Sequence, residues 1–217
     1  MTVPGPRIPY DEISTRGNPA MRKATLLITT AGLLLCACEV SRVDPLSIPL
    51  AYSQNPKNAG QLGSLSCNSV SQLQVQDARA DKVLGVRTHE SKPLKADVSA
   101  STDPAAWVHE GVQSFLTQNG INFSGAGPRL QISLDSLNTT ESIWHRASYA
   151  AGIALTARLQ SPAGKVCWKT TVQGHGGNYG YAGSVLNYQE TLNEALDDAT
   201  LAMSNAGFKD ALCHCSD

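Results

Sequence analysis

Two alternating runs joined by a short turn constrain this chain most. Tyr149, Ala151, Ile153, Leu155, Ala157 and Leu159 recur with period 2, and after Ser161-Pro162-Ala163-Gly164 the same period resumes in Val166, Trp168, Thr170 and Val172. Successive side chains of a strand point to opposite faces, so each run buries one face and the turn folds them into an antiparallel hairpin. Cys167 alternates with the buried set and belongs to the other face. Shorter strands are expected where Leu73 and Val75 alternate with Gln72, Gln74 and Gln76, over Val83 to Thr88, and at Leu130, Ile132 and Leu134.

Two helices complete the pattern. Asp103 is a natural N-cap with Pro104 at the tolerated first position, and Val108, Val112, Phe115 and Leu116 form one stripe with Trp107 beside it. Asn119-Gly120 supplies the left-handed stop. Asn187 with Glu190 reads as a capping box, and Leu192, Leu196, Ala199 and Met203 as a stripe ending at Gly207, before a short tail from Phe208. Two apolar helical stripes need an apolar sheet face. The expected fold is therefore one α/β (α+β) domain, an antiparallel or mixed sheet with two helices packed on one face.

Between the hairpin and the last helix lies Gly174 to Gly183, GHGGNYGYAG. A phosphate cradle would sit there, but the spacing fits neither dinucleotide nor P-loop patterns and no lysine follows. It reads as a flexible connection displaying Tyr179 and Tyr181. With Trp144, His145 and Arg146, or with the outer face of the sheet, these tyrosines are the candidate binding surface; burial in the core is the competing reading for Trp144. Asp77-Ala78-Arg79-Ala80-Asp81 reads as a solvated turn, with a ligand-binding cation as the alternative.

Upstream, Arg22 and Lys23 precede an apolar run from Ala24 to Leu35 that is too short to cross a bilayer. Basic head, short apolar segment and small residue before a cut match a secretory signal peptide over 21–37. Leu35-Cys36-Ala37-Cys38 resembles the bacterial lipobox, which implies cleavage between Ala37 and Cys38 and acylation of Cys38. No cofactor is expected beyond that covalent diacylglycerol and N-acyl chain, palmitate among the possible acids. Glu39 follows instead of the aspartate associated with inner-membrane retention, so the expected place is the outer membrane, facing the periplasm. Residues 1–20 read as a start placed too early or a disordered extension. Residues 38–66, punctuated by Pro45, Pro49, Pro56, Gly60 and Gly63, read as a lipidated linker, and 67–217 as the folded domain.

Removing Cys36 with the leader and giving Cys38 to the lipid leaves Cys67, Cys167, Cys213 and Cys215. In an oxidising compartment an even number implies disulfides, and four cysteines allow three pairings. Cys213 and Cys215 are too close for an easy mutual bridge, which favours Cys67 and Cys167 each reaching to that pair. A metal site at Cys213-His214-Cys215 is the alternative; no metal is expected.

From Cys38 on, 13 basic and 16 acidic residues leave a net charge near −3 and no Lys/Arg run, which argues against nucleic acid as a partner. No G-x-S-x-G or H-E-x-x-H occurs, and His89, His109, His145, His175 and His214 are scattered. Asp135, Glu141 and Glu190 could pair for glycosidic cleavage, but no spacing singles them out. No catalytic residue is assigned.

In the order and length of its elements the chain resembles the YajG-like lipoproteins of Gram-negative bacteria. The likeness runs from Gln72 to Met203: first strand with its Asp77-x-Arg79 turn, helix, Leu130-Gln131-Ile132-Ser133 strand, long hairpin, glycine-bearing loop and last helix. More distantly it resembles auxiliary lipoproteins of envelope transport and assembly systems. The resemblance implies a non-catalytic envelope lipoprotein held to a membrane by its lipid, with an envelope protein as possible partner and no defined small-molecule ligand. An enzyme acting on cell-wall or lipid material, or a structural subunit of a secretion or transport complex, are the rival classes.

Overall fold

The structure is a computed structural model and describes residues 42–53, 67–125 and 127–215. The extension 1–20, the signal segment, Ala37, Cys38 and residues 54–66 of the spacer lie outside the described residues. The chain divides into a unit Met1–Glu39 and a unit Val40–Asp217, and the description below concerns the second.

The elements run β1 (Leu46–Ile48), β2 (Ser69–Val70), β3 (Gln72–Asp77), β4 (Gly85–His89), β5 (Lys95–Ala100), α1 (Pro104–Gln118), β6 (Asn122–Phe123), β7 (Arg129–Ile143), β8 (Ala147–Gln160), β9 (Val166–Gly180), α2 (Val185–Met203) and α3 (Lys209–His214). Seven strands form a mixed sheet in the order β1-β5-β4-β7-β8-β9, and β3 pairs in parallel beside the first half of β7. β4 continues along the same edge, parallel to the second half of β7. β2 and β6 form a separate two-stranded ladder. The fold is α+β, a mixed sheet with helices packed against it, and a third helix joins the two expected.

The core is the inner face of the hairpin and of β3 and β7 under two helical stripes. Leu130, Leu134, Leu155 and Leu159 are fully buried with Val108, Val112, Phe115 and Leu116 of α1 and Leu196 and Ala199 of α2. At about 1.5–3 kcal/mol per fully buried large apolar side chain, this shared face supplies the main favourable free energy of the fold. Asp103 caps α1 by accepting from the Ala105 N–H at 2.9 Å, and Gly120 takes φ +84 after its end.

Four expectations are corrected. The glycine-rich segment is not a flexible connection: most of it is strand β9, with Gly174 and Gly176 facing α2. A Cβ on Gly174 would stand 2.1 Å from the Ala195 carbonyl oxygen, and one on Gly176 2.1 Å from that of Thr191, so glycine permits the close seat of α2. The second helix is capped by Ser184, whose hydroxyl accepts from the Asn187 N–H at 3.3 Å; Glu190 instead accepts from Asn178 at 2.6 Å. It does not end the fold at Gly207: a π turn, Ser204–Phe208, leads into α3 and buries Phe208 against Trp168. The spacer is in part structural, because β1 pairs in parallel with β5 and Ile48 is wholly buried. Pro45 and Pro49 flank β1, which is why the segment reads as a linker.

Disulfides Cys67–Cys213 and Cys167–Cys215 stitch the C-terminal helix to the start of the domain and to the edge strand β9. Both join one member of the C-terminal pair to a distant cysteine, the favoured pairing. They consume the thiols that the metal alternative needed. Among the described residues no group of three or more His, Cys, Asp or Glu could hold a metal ion.

Candidate functional site

The site is built on a buried carboxylate. Glu141 lies on the second half of β7 and is completely buried. It faces inward because of a bulge between Leu134 and Ser136. Leu130, Ile132 and Leu134 face the core before it, and the extra residue, Asp135, shifts the parity so that Leu137, Thr139, Glu141 and Ile143 face the core after it. Register then sets Arg87 of β4 and Tyr149 of β8 directly opposite Glu141 on its two sides.

Four donors converge on the two oxygens. Arg87 Nε and the Tyr188 hydroxyl (2.9 Å) donate to Oε2; the Tyr149 hydroxyl (2.9 Å) and the Gly183 N–H (2.6 Å) donate to Oε1. All four donate and none accepts, the arrangement an acceptor-only carboxylate requires. Burial, then the neighbouring Glu141 charge, pushes the Tyr188 hydroxyl far above the ordinary 10.0. Burial likewise raises Tyr149. A carboxylate so engaged is a structural hub, with no lone pair left for a substrate.

The hub fixes the connection from β9 to α2. Besides Gly183, the Tyr181 carbonyl lies against the Tyr149 hydroxyl, which also accepts from the Ser184 N–H at 3.2 Å. Arg87 donates through Nη1 to the Asp44 carbonyl at 2.8 Å, tying the incoming chain to the same point. Pinned in this way, the connection turns Tyr181 outward beside the β7–β8 turn. A cleft of about 480 Å³ results, lined by Trp144, His145, Arg146, Tyr179 and Tyr181 among others. The Trp144 and His145 rings lie 4.4 Å apart, and the Arg146 guanidinium sits 5.7 Å from the Tyr179 ring centroid.

The structure thus gathers Trp144, His145, Tyr179 and Tyr181, picked separately from the sequence, at one end of the sheet. Trp144 is exposed, so the core reading for it fails. No carboxylate lines this cleft beside His145, and His175 is held only through its backbone N–H, which donates to Asp198 at 3.0 Å. Asp135 sits at the bulge and accepts from Ser133 and Thr156 on the open face, whereas Glu141 points into the core; the two do not form a catalytic pair.

A second surface is the face of the sheet opposite the helices. Register aligns Gln74, Gln131, Arg158 and Lys169 in one row, and Gln76, Ser133, Thr156 and Thr171 in the next. A hollow of about 570 Å³ lies over them.

Arg79 is not on a solvated turn. It is buried and grips Asp77 with two bonds, Nε to Oδ1 at 2.9 Å and Nη2 to Oδ2 at 3.0 Å, while its Nη1 finds no partner among the described residues. That grip holds the Asp77 carboxyl well below the usual carboxylate range. Neither this pair nor the Arg87–Glu141–Tyr188 hub is assigned from the sequence; Tyr149 alone carries a signal, its place in the hairpin alternation.

No curated protein matches the chain. Among solved structures it is similar to a Xanthomonas campestris protein of the family DUF330, at 12% identity and TM-score 0.43 over 78% of this chain and 95% of that one. It is also similar to a minor lipoprotein from Acinetobacter baumannii, at 11% identity and TM-score 0.36 over 65% and 91%. The family model described as "Uncharacterized lipoprotein" matches residues 59–207, a span that holds β2 through α2 and every member of the Glu141 hub. The chain belongs to this family, the YajG-like lipoproteins.

Proposed function

We propose that the chain is an outer-membrane lipoprotein, acylated on Cys38 after cleavage behind Ala37, whose domain works in the periplasm as a binding or assembly module and not as an enzyme. Membership of a lipoprotein family supports the anchor. The lipobox-like Leu35-Cys36-Ala37-Cys38 names the residue, and three acyl chains there would make attachment effectively permanent. The observation that carries the binding role is the open sheet face. Helices cover one side only, and the other presents glutamine, threonine and cationic side chains in register across four strands. These groups donate and accept hydrogen bonds and carry almost no apolar area, which suits a polar and reversible partner interface. The fully engaged Glu141 and a histidine-bearing cleft without a carboxylate lend no support to hydrolysis.

Site-specific photo-crosslinking in cells tests this. A crosslinking residue in place of Gln131, on the open face, is expected to give one discrete adduct with an envelope protein, and the same probe in place of Glu110, on exposed α1 surface, none. Equal adducts at both positions, or none at Gln131, contradict the reading.

A further inference from the structure

Of the six large apolar side chains left exposed among the described residues, four lie at one end of the domain: Trp144 (62%), Tyr179 (70%), Tyr181 (89%) and Leu186 (61%). The register explains the clustering. The β7–β8 turn, the end of β9 and the start of α2 all fall at this end, while Val83 and Val166 stand at the other. Such an arrangement costs solubility unless something covers it.

The incoming chain enters at the same end. β1 runs parallel to β5 from Leu46 opposite Val98, so the residues before it approach from the β4–β5 turn, which is level with the β7–β8 turn. Arg87 joins the Asp44 carbonyl to Glu141, and its guanidinium lies beside Gly183, two residues from Tyr181. Four residues separate Arg42 from Cys38, and four residues reach at most about 14 Å.

We infer that this aromatic end is a lipid-facing seat: Trp144, Tyr179, Tyr181 and Leu186 rest in the headgroup layer of the membrane that holds the lipidated Cys38, a reading that depends on the anchor proposed above. Tryptophan and tyrosine favour that layer because each joins an apolar ring to a polar tip. Nearby charges are engaged locally: Arg42 pairs with Asp44 at 2.7 Å, Arg146 lies over Tyr179, and Glu90 accepts from Ser142. The seat therefore works by ring insertion more than by attraction to anionic lipid. It also sets the domain upright, with the open polar face turned sideways along the membrane, accessible to a partner.

The test uses the mature acylated chain on vesicles of phosphatidylethanolamine and phosphatidylglycerol with acyl chains brominated just below the ester. Flotation with the vesicles reports the anchor, and bromine quenching of tryptophan emission reports the seat. Trp107 is buried, so the expected result is clear quenching of which Trp144→Phe removes most, with Tyr181→Ser reducing it while flotation is unchanged. Replacing phosphatidylglycerol by phosphatidylcholine should leave the quenching in place. Flotation with no quenching, or quenching that survives Trp144→Phe, overturns the seat and leaves the anchor standing. Failure to float overturns the anchor and the seat with it.

Discussion

Replacing Glu141 by Gln changes one oxygen into an amide NH2 and removes the charge. If the NH2 takes the Oε2 position it faces Arg87 Nε, a donor that cannot become an acceptor. If it takes the Oε1 position, the Tyr149 hydroxyl can turn its proton to the Tyr181 carbonyl and accept instead, but the Gly183 N–H is left facing another donor. One buried donor is orphaned either way, at about 1–3 kcal/mol. Arg87, with an 11% exposed side chain, also loses its counter-charge, and breaking a buried pair from one side costs about 3–5 kcal/mol. The two costs overlap, so about 3–5 kcal/mol in total is expected, or roughly 6–20 °C in Tm for a domain of this size. Urea and thermal unfolding followed by circular dichroism measure it. Tyr188→Phe is the control: it removes one donor at 2.9 Å and leaves the carboxylate three others, so about 1.5–3 kcal/mol is expected. The double variant should fall short of the sum, since both changes act on one network. A Glu141→Gln cost below about 1 kcal/mol would show that the hub does not hold the fold as argued.

Three further outcomes follow from the same geometry. Gly174→Ala places a methyl 2.1 Å from the Ala195 oxygen and 2.4 Å from the Ala199 nitrogen, both backbone atoms of α2; unfolding by urea should show a loss of about 3 kcal/mol, the top of the overpacking range, and the exposed Gly164 changed likewise should show much less. Changing Cys67 and Cys213 together to Ser should cost about 2–5 kcal/mol without reductant, and the same loss should appear on reduction of the unmodified chain. Because Arg79 depresses the Asp77 carboxyl below its ordinary 3.8, that pair contributes stability above this value and loses it as pH falls through and below it; Asp77→Asn should flatten the acid side of a stability–pH curve while lowering stability near neutrality.

What the sequence disclosed and what it hid divide along physical lines. The hairpin, α1 with its caps and the α2 stripe repeat a period over ten or more residues, and periodicity of that length outweighs local exceptions. The disulfide pairing was favoured because Cys213 and Cys215 sit too close to bond each other. The second half of β7 was hidden by one residue: the bulge at Asp135 shifts the alternation, so Leu137, Thr139, Glu141 and Ile143 fall out of phase with Leu130 to Leu134. That half carries Glu141, and with it the hub was lost. Gly174 and Gly176 misled for a related reason. In a strand glycine commonly marks weakness, but here it marks where a helix backbone comes close, and only the packing partner shows which applies. The aromatic residues of the candidate site were legible one by one as surface groups; their convergence depends on register between β7, β8 and β9, which no local pattern encodes.

The account rests on the identity of the mature first residue. Intact mass spectrometry of the chain extracted from membranes in detergent, with fragmentation of its N-terminal peptide, reads it directly. The predicted result is a chain that begins at Cys38, its sulfur carrying diacylglycerol and its amine a further acyl chain. An unmodified N-terminus at any other residue would contradict the anchor, and with it the orientation argued for the aromatic end.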